Sequence, residues 1–266
     1  MPTAVFVSPH LDDVAFSCGG TVSALGEAGW RTVVVTAFTA SAANPTGFAL
    51  ACQLDKGLPP DVDYLAVRRA EDEEFARRAA VDQLHWLDLP EAPHRGYGSA
   101  DALFGDLSAT DDVAIVLDQR LARCLDAESP DLVLAPQALG AHVDHLRVVD
   151  AVLAVVPPSL PVWWYRDVPY AIRFPHTSCL QPAIADLPEV AVDVTAHVEG
   201  KGHAAVAYGS QLEFQFGGPA RCVEALGRFA RSEADRLHRE GGVEAFRVRH
   251  GPHPGAIRLA TASGGE

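Results

Sequence analysis

The run TAVFVS, residues 3–8, is short, almost wholly apolar and rich in β-branched side chains, and it breaks off into PHLDD. Such a run fits a strand covered on both faces, as in the middle of a parallel sheet. A helical pattern over about 13–28 stops at Gly29, and RTVVVTAF, 31–38, supplies a second strand of the same kind. Strand, helix, strand in so short a span is a βαβ unit, whose right-handed crossover lays the helix on one face of the sheet.

The alternation continues along the chain. A Pro- and Gly-containing loop over 40–65 precedes a charged helix at 66–80, and LHWLDLP, 84–90, reads as a third strand. A loop at 91–110, a helix at 112–127 and the strand DLVLAP, 131–136, follow. Then come a helix at 143–156, the strand PVWWYR at 161–166, a loop over 167–182, helical stretches at 197–214 and 219–240, and a terminal strand, VEAFRVR, at 243–249. The last dozen residues are expected to fray. This pattern predicts one Rossmann-like, doubly wound α/β domain over residues 1–266, with a mostly parallel sheet and helices on both faces. Ligands in such folds bind beyond the carboxyl ends of the strands. The three long loops all follow strands, so they should stand around one rim as a pocket wall.

Composition removes several function classes. Apolar residues make up 48% of the 266 and charged residues 21%, the balance of a globular chain rather than a disordered one. No apolar run approaches the roughly 18 residues of a membrane span. A net charge of −14, with no offsetting Lys/Arg cluster, would repel phosphate backbones, so nucleic acid is not an expected partner. Five scattered cysteines without a C-x-x-C fit a reducing compartment. The first strand begins too early to leave room for a cleavable leader, and the expected location is the cytoplasm.

His10, Asp12 and Asp13 stand at the carboxyl end of the first strand, and His142, Asp144 and His145 follow the fourth. If those two strands are neighbours, two groups distant in sequence share one rim. A catalytic divalent transition metal, most often zinc, takes three His and Asp/Glu ligands and keeps a position open. His10, Asp13 and His145 would supply two imidazoles and a carboxylate, a set that also suits iron(II). Zinc lowers the pKa of a coordinated water from about 15.7 to about 7, and Asp12, beside a ligand, would take that water's proton. A protonated His142 is expected to stabilise a tetrahedral oxyanion and protonate a departing amine. Asp144 is expected to fix the tautomer of one of these histidines. Amide hydrolysis follows. Each Asp taken singly reads as a helix cap, but six such groups at the ends of two buried strands do not. No G-x-G-x-x-G supports a nucleotide-binding module and no G-x-S-x-G a serine hydrolase. Gly19 and Gly20 read better as a close helix contact than as a phosphate turn.

His10-Leu11-Asp12-Asp13 and His142-Val143-Asp144-His145 resemble the H-P-D-D and H-x-D-H motifs of the PIG-L/LmbE-like zinc deacetylases, with support from Arg68 and Glu71, from VPY at 168–170, and from Lys201 with YGSQ at 208–211. The resemblance implies a zinc-dependent enzyme that removes the N-acetyl group from an N-acetylglucosamine-type sugar or glycoconjugate, or a related metal hydrolase of another amide or ester. It implies His10, Asp13 and His145 as metal ligands, Asp12 as base and His142 as the electrostatic or acid group. It also implies Arg68, Glu91 and Gln211 as groups that grip the substrate; a surface ion pair with Glu71 is the competing reading of Arg68. The chain departs from the pattern at Leu11, Val14 and Gly140. Gly140 stands where some members carry a tyrosine that helps hold the oxyanion, which would place more of that task on His142.

Overall fold

The computed structural model describes residues 1–249, and the expected fraying of the last dozen residues lies outside that range. Seven strands form one sheet among the described residues. They are β1 (Thr3–Ser8), β2 (Arg31–Phe38), β3 (Gln83–Leu89), β4 (Leu132–Pro136), β5 (Val162–Tyr165), β6 (Glu189–Asp193) and β7 (Val243–Arg249). Their order across the sheet is β3-β2-β1-β4-β5-β7-β6. The first five pair in parallel, and β7 runs antiparallel to both β5 and β6.

The helices are α1 (Asp13–Glu27), α2 (Gly47–Asp55), α3 (Tyr64–Ala79), α4 (Ala100–Leu103), α5 (Val113–Glu128), α6 (Val143–Val155), α7 (Tyr170–Arg173), α8 (Pro182–Ala185), α9 (Val198–Ala205), α10 (Gly209–Phe216) and α11 (Pro219–Arg236). Two cores explain why β1 reads as continuously apolar. Ala4 and Phe6 enter a core with Phe16, Phe75, Ala204 and Leu226, from α1, α3, α9 and α11. Val5 and Val7 enter the opposite one with Leu117 and Leu121 of α5 and Val148 of α6. Both faces of the strand are therefore dry.

From β1 the chain proceeds outward in one direction through β2 and β3, whereas β4 lies on the other side of β1. The crevice between the carboxyl ends of β1 and β4 is the topological switch point, where doubly wound sheets bind ligands. Both charged motifs follow these two strands.

The sequence reading needs correction at several places, the one-turn helices α4 and α7 within the expected loops 91–110 and 167–182 among them. The segment 40–65 is not all loop: α2 forms within it, and α3 starts at Tyr64, capped by Asp63, whose Oδ1 accepts from the Ala66 N–H at 2.9 Å. The stretch 197–214 is two helices, because Glu71 of α3 accepts from both the N–H and the hydroxyl of Ser210 and so starts α10 separately. Strand β6 was not expected. It is a short edge strand with only Val192 fully covered, and so lacks the unbroken apolar signature of the central strands.

The helix after β1 is broken at Cys18 (φ −137°, ψ 24°), which frees backbone donors inside it. Glu244 of β7 collects them, accepting from the N–H of Gly20 at 3.0 Å, the N–H of Thr21 at 2.7 Å and the Thr21 hydroxyl at 2.6 Å. Lys201 neutralises that carboxylate at 2.7 Å and donates to the Ser17 carbonyl at 3.2 Å. A Cβ on Gly20 would stand 2.9 Å from the Val194 Cβ, which explains this glycine by close approach. Both charges are almost fully buried. Removing one partner of such a pair strands the other, so Glu244→Ala should cost about 3–5 kcal/mol of stability. Urea unfolding checks this: a midpoint within error of the parent chain would show that the pair does not hold the broken helix.

Candidate metal centre and active site

Chain direction and register bring His10, Asp12 and Asp13 together with His142, Asp144 and His145. Asp13 Oδ2 lies 3.4 Å from His10 Nδ1 and 3.4 Å from His145 Nε2. The three donor atoms fall within 4.8 Å of one another. The His145 Nε2 is buried and has no hydrogen-bond partner. An orphaned lone pair next to a carboxylate and a second imidazole fits a divalent cation: two nitrogens, one oxygen and a nearby cavity.

Two further carboxylates aim those nitrogens. The other ring nitrogen of His145, Nδ1, meets Asp167 Oδ1 at 2.6 Å, and the other ring nitrogen of His10, Nε2, meets Asp144 Oδ2 at 2.9 Å. An ionised carboxylate can only accept, so each ring keeps a proton on that side and turns its other nitrogen to Asp13, the nitrogen that a cation would take in place of a proton. Asp167 is fixed by the Leu139 N–H at 3.0 Å. Asp144 is fixed by the Ala92 N–H at 3.1 Å and by an ion pair to Arg95 at 2.7 Å, and Arg95 also holds Asp111. His10, His142 and Asp144 also form a group of possible ligands. There His10 Nε2 and Asp144 Oδ2 are spent on each other and His142 Nδ1 on the Asp144 N–H, so the first trio is the better candidate.

Burial alone would make His10 harder to protonate, but Asp13 and Asp144 outweigh it and raise its pKa to about 10. Burial works against ionised Asp13 as well, and His145 and His10 overcome it and lower that carboxyl. The trio attracts charge of both signs before any ion is considered.

Asp12 is the strained residue of the site. Its φ of 150° with ψ −26° is a conformation suited to glycine, and such outliers cost on the order of 1–3 kcal/mol each. Arg68 holds it there, donating from Nη2 to the Leu11 carbonyl at 2.6 Å and pairing with Asp12 Oδ1 at 3.1 Å, while its Nη1 meets Glu91 Oε1 at 2.7 Å. Burial lifts Asp12 to about 7, against the pull of Arg68. The ion pair of Arg68 with Glu71 is not formed; Glu71 is spent on Ser210. The Arg68 Nη atoms are occupied by Asp12, Leu11 and Glu91, so the geometry makes it a holder of Asp12 before it is a grip on substrate.

His142 caps α6, accepting the Asp144 N–H at Nδ1 over 3.2 Å. That bond needs a lone pair on Nδ1, and burial lowers the pKa to about 3. The expected imidazolium is therefore replaced by a neutral ring whose proton sits on Nε2. Phe104 stands edge-on to it, ring centroids 5.3 Å apart.

A cavity of about 350 Å³ opens over His10 and Asp13, lined also by Asp12, Arg68, Glu91, His142 and Gln211, with His145 buried behind them. All three long loops supply walls: Phe48 and Lys56 from the first, Pro93 and Phe104 from the second, Tyr170 and Arg173 from the third. Gln211 is buried and donates to Ser210 Oγ at 2.8 Å and Tyr64 Oη at 3.3 Å. Sequence reasoning missed Asp167 and Arg95. Asp167 directly follows β5, the placement that singled out His10 and His142, and the rim rule would have found it. Arg95 lies in a loop and carries no such signal.

Residues 5–156 match the family described as PIG-L, GlcNAc-PI de-N-acetylase. Over 237 residues the chain is 33% identical to a 2′-N-acetylparomamine deacetylase of Streptomyces fradiae, covering 87% of this chain and 79% of that one. A protein of the same name from Niallia circulans is 29% identical over 185 residues, 62% of this chain and 66% of its own. The crystal structure of the zinc-inhibited form of teicoplanin deacetylase superposes with a TM-score of 0.77 at 25% identity, over 92% of this chain and 97% of that one.

Asp167→Ala should leave His145 free to rotate and to change tautomer, and should weaken divalent metal binding by about 10- to 100-fold. Titration with a metal-competing indicator reads this directly. Parent-like affinity would show that Asp167 does not orient the ring.

Proposed function

The chain belongs to the PIG-L family, and from that membership and the geometry of the β1/β4 crevice we propose that it is a zinc-dependent de-N-acetylase of an amino sugar. The observation that carries the reading is the convergence of His10 Nδ1, Asp13 Oδ2 and the unpartnered His145 Nε2 beside a buried, strained Asp12. The 2′-N-acetylparomamine deacetylases support an N-acetylated amino sugar as substrate, and the zinc-inhibited form of the teicoplanin deacetylase together with the His/Asp trio supports a divalent metal at this site. His10, Asp13 and His145 hold it. The five free thiols fit a reducing, cytoplasmic setting, and among the described residues no helix is long and apolar enough to cross a membrane.

A bound divalent ion supplies Lewis acidity toward a water and the acetyl carbonyl. Asp12 accepts the proton that the attacking water loses. A carboxyl lifted to about 7 is matched to that work and can hand the same proton to the departing amine. Arg68 keeps Asp12 in its strained pose, and Glu91 shares the guanidinium so that Arg68 does not fully quench the base. His142, neutral and with Nδ1 occupied, offers its Nε2–H to the developing oxyanion as a fixed donor that needs no proton of its own to titrate. Glu91 and Gln211 line the cavity where sugar hydroxyls would lie. Acetate and the free amine are the products.

Asp12→Ala should keep the metal yet lower turnover by about 10²- to 10⁴-fold. The assay is amine release from N-acetylglucosamine and its glycosides, with metal content measured on the same preparation. Near-parental turnover in this variant would remove Asp12 as the base. A chelator should abolish amine release and added zinc should restore it; activity that survives complete chelation would overturn the metal mechanism.

A further inference from the structure

A second depression, of about 730 Å³, adjoins the catalytic cavity and shares Phe104, Tyr170 and Arg173 with it. Phe174 and Pro175 complete its apolar walls. Exposed aromatic side chains are costly when gathered in one patch, and such patches beside a site mark ligand surfaces. Here Phe104 is 46% exposed and Phe174 57% exposed, and both border the same hollow. Its floor depends on a missing side chain. A Cβ on Gly140 would stand 2.8 Å from Tyr170 Cδ1, so the Tyr170 ring lies flush over bare backbone. The charged member is already engaged, since Arg173 donates to the Gln215 carbonyl at 2.9 Å and to its Oε1 at 2.7 Å. His176 and Thr177 add polar groups at one side, and the rest of the lining is ring and proline surface.

We propose that this shelf binds the substituent attached to the amino sugar, and that the substituent is a flat, apolar, ring-bearing aglycone laid against Phe174 and the edge-to-face pair of Phe104 and Tyr170, whose centroids are 5.9 Å apart. The proposal rests on the deacetylase reading: with the acetyl group over His10 and Asp13 and the sugar in the smaller cavity, it places the glycosidic side of the sugar toward Phe104, where the two hollows join. The shelf is continuous with that cavity through Phe104, Tyr170 and Arg173. The enzyme then selects conjugates over the free sugar. Phe174 sets that preference without touching the reacting atoms, because it lines the shelf alone and not the catalytic cavity.

The test compares methyl and 4-nitrophenyl N-acetylglucosaminides of the same anomeric form with N,N′-diacetylchitobiose, on the full chain loaded with zinc. The parent protein should favour the aryl over the methyl glycoside by about tenfold in kcat/KM, the scale of one well-stacked aromatic contact, through KM rather than kcat. Phe174→Ala should erase most of that ratio while the methyl glycoside changes less than about twofold. Equal handling of the two glycosides by the parent, or an unchanged ratio in Phe174→Ala, would overturn the proposal. A gain for chitobiose that matches or exceeds the aryl gain would overturn the apolar occupant. Calorimetric binding to Asp12→Ala reads the shelf without turnover: tighter aryl binding lost on adding Phe174→Ala supports it, and no aryl preference sinks it. Absence of amine release from every probe, with the binding preference intact, would strike the deacetylase reading and leave the shelf standing.

Discussion

The bond between His145 and Asp167 is the contact on which the site depends. It is a buried imidazole against a buried carboxylate, and it decides which of the two ring nitrogens is left bare. The bond between His10 and Asp144 does the same from the other side of the crevice. Neither carboxylate is free to drift. Backbone N–H groups of Leu139 and Ala92 hold them, and those residues sit just past the ends of β4 and β3. The positions of the proposed ligands are thus set by sheet register, here Leu134 opposite both Phe6 and Trp163, more than by local preference. A slip of one residue in a central strand would exchange its two faces and scatter the donors.

This arrangement works against stability and needs support from elsewhere. Buried ionised groups are unfavourable unless paired, and here Asp13, Asp144, Asp167, Arg95 and Arg68 are all nearly enclosed. The chain meets this by giving each group several partners. Arg95 lies between Asp144 and Asp111 and stacks its guanidinium 4.7 Å from the centre of the Phe38 ring. Arg68 is shared by Asp12, Glu91 and the Leu11 carbonyl. The helix that begins at Asp13 is also broken at Cys18, a break mended from β7 at the far end of the chain by Glu244 and Lys201. Function at the amino end of α1 therefore leans on residues distant in sequence.

What was legible in the sequence follows from these same facts. Parallel strands β1, β2 and β4 announce themselves because both faces are dry, and the two motifs at their ends show where the rim is. The antiparallel edge at β6 does not, since an edge strand needs no unbroken apolar run. Helix α2 was hidden by Pro45 and Gly47, which signal a turn without forbidding a helix just after them. The partition of 197–214 into two helices rests on Glu71 reaching from α3, a tertiary cap that no local pattern contains. Arg68 was seen as important, but whether it faces Glu71, a sugar or Asp12 depends on the fold. Asp167 was legible by position and overlooked because no motif framed it.

The three histidines show why residue type and spacing alone stop short of chemistry. His10 and His145 each face a carboxylate, which can only accept, so their protons are drawn outward and their lone pairs turn to Asp13. His142 faces a backbone N–H, which can only donate, so its lone pair is spent on Asp144 and its proton is left on Nε2, on the ring that lines the cavity. The same side chain thus becomes a candidate ligand in two places and a hydrogen-bond donor in the third, through the polarity of one neighbour each. A protonated His142 would lose its cap and carry a charge in a buried site beside His10 and His145; the neutral ring avoids both. In the proposed reaction the proton traffic then falls to Asp12, whose lifted pKa would let it accept and return a proton within one cycle.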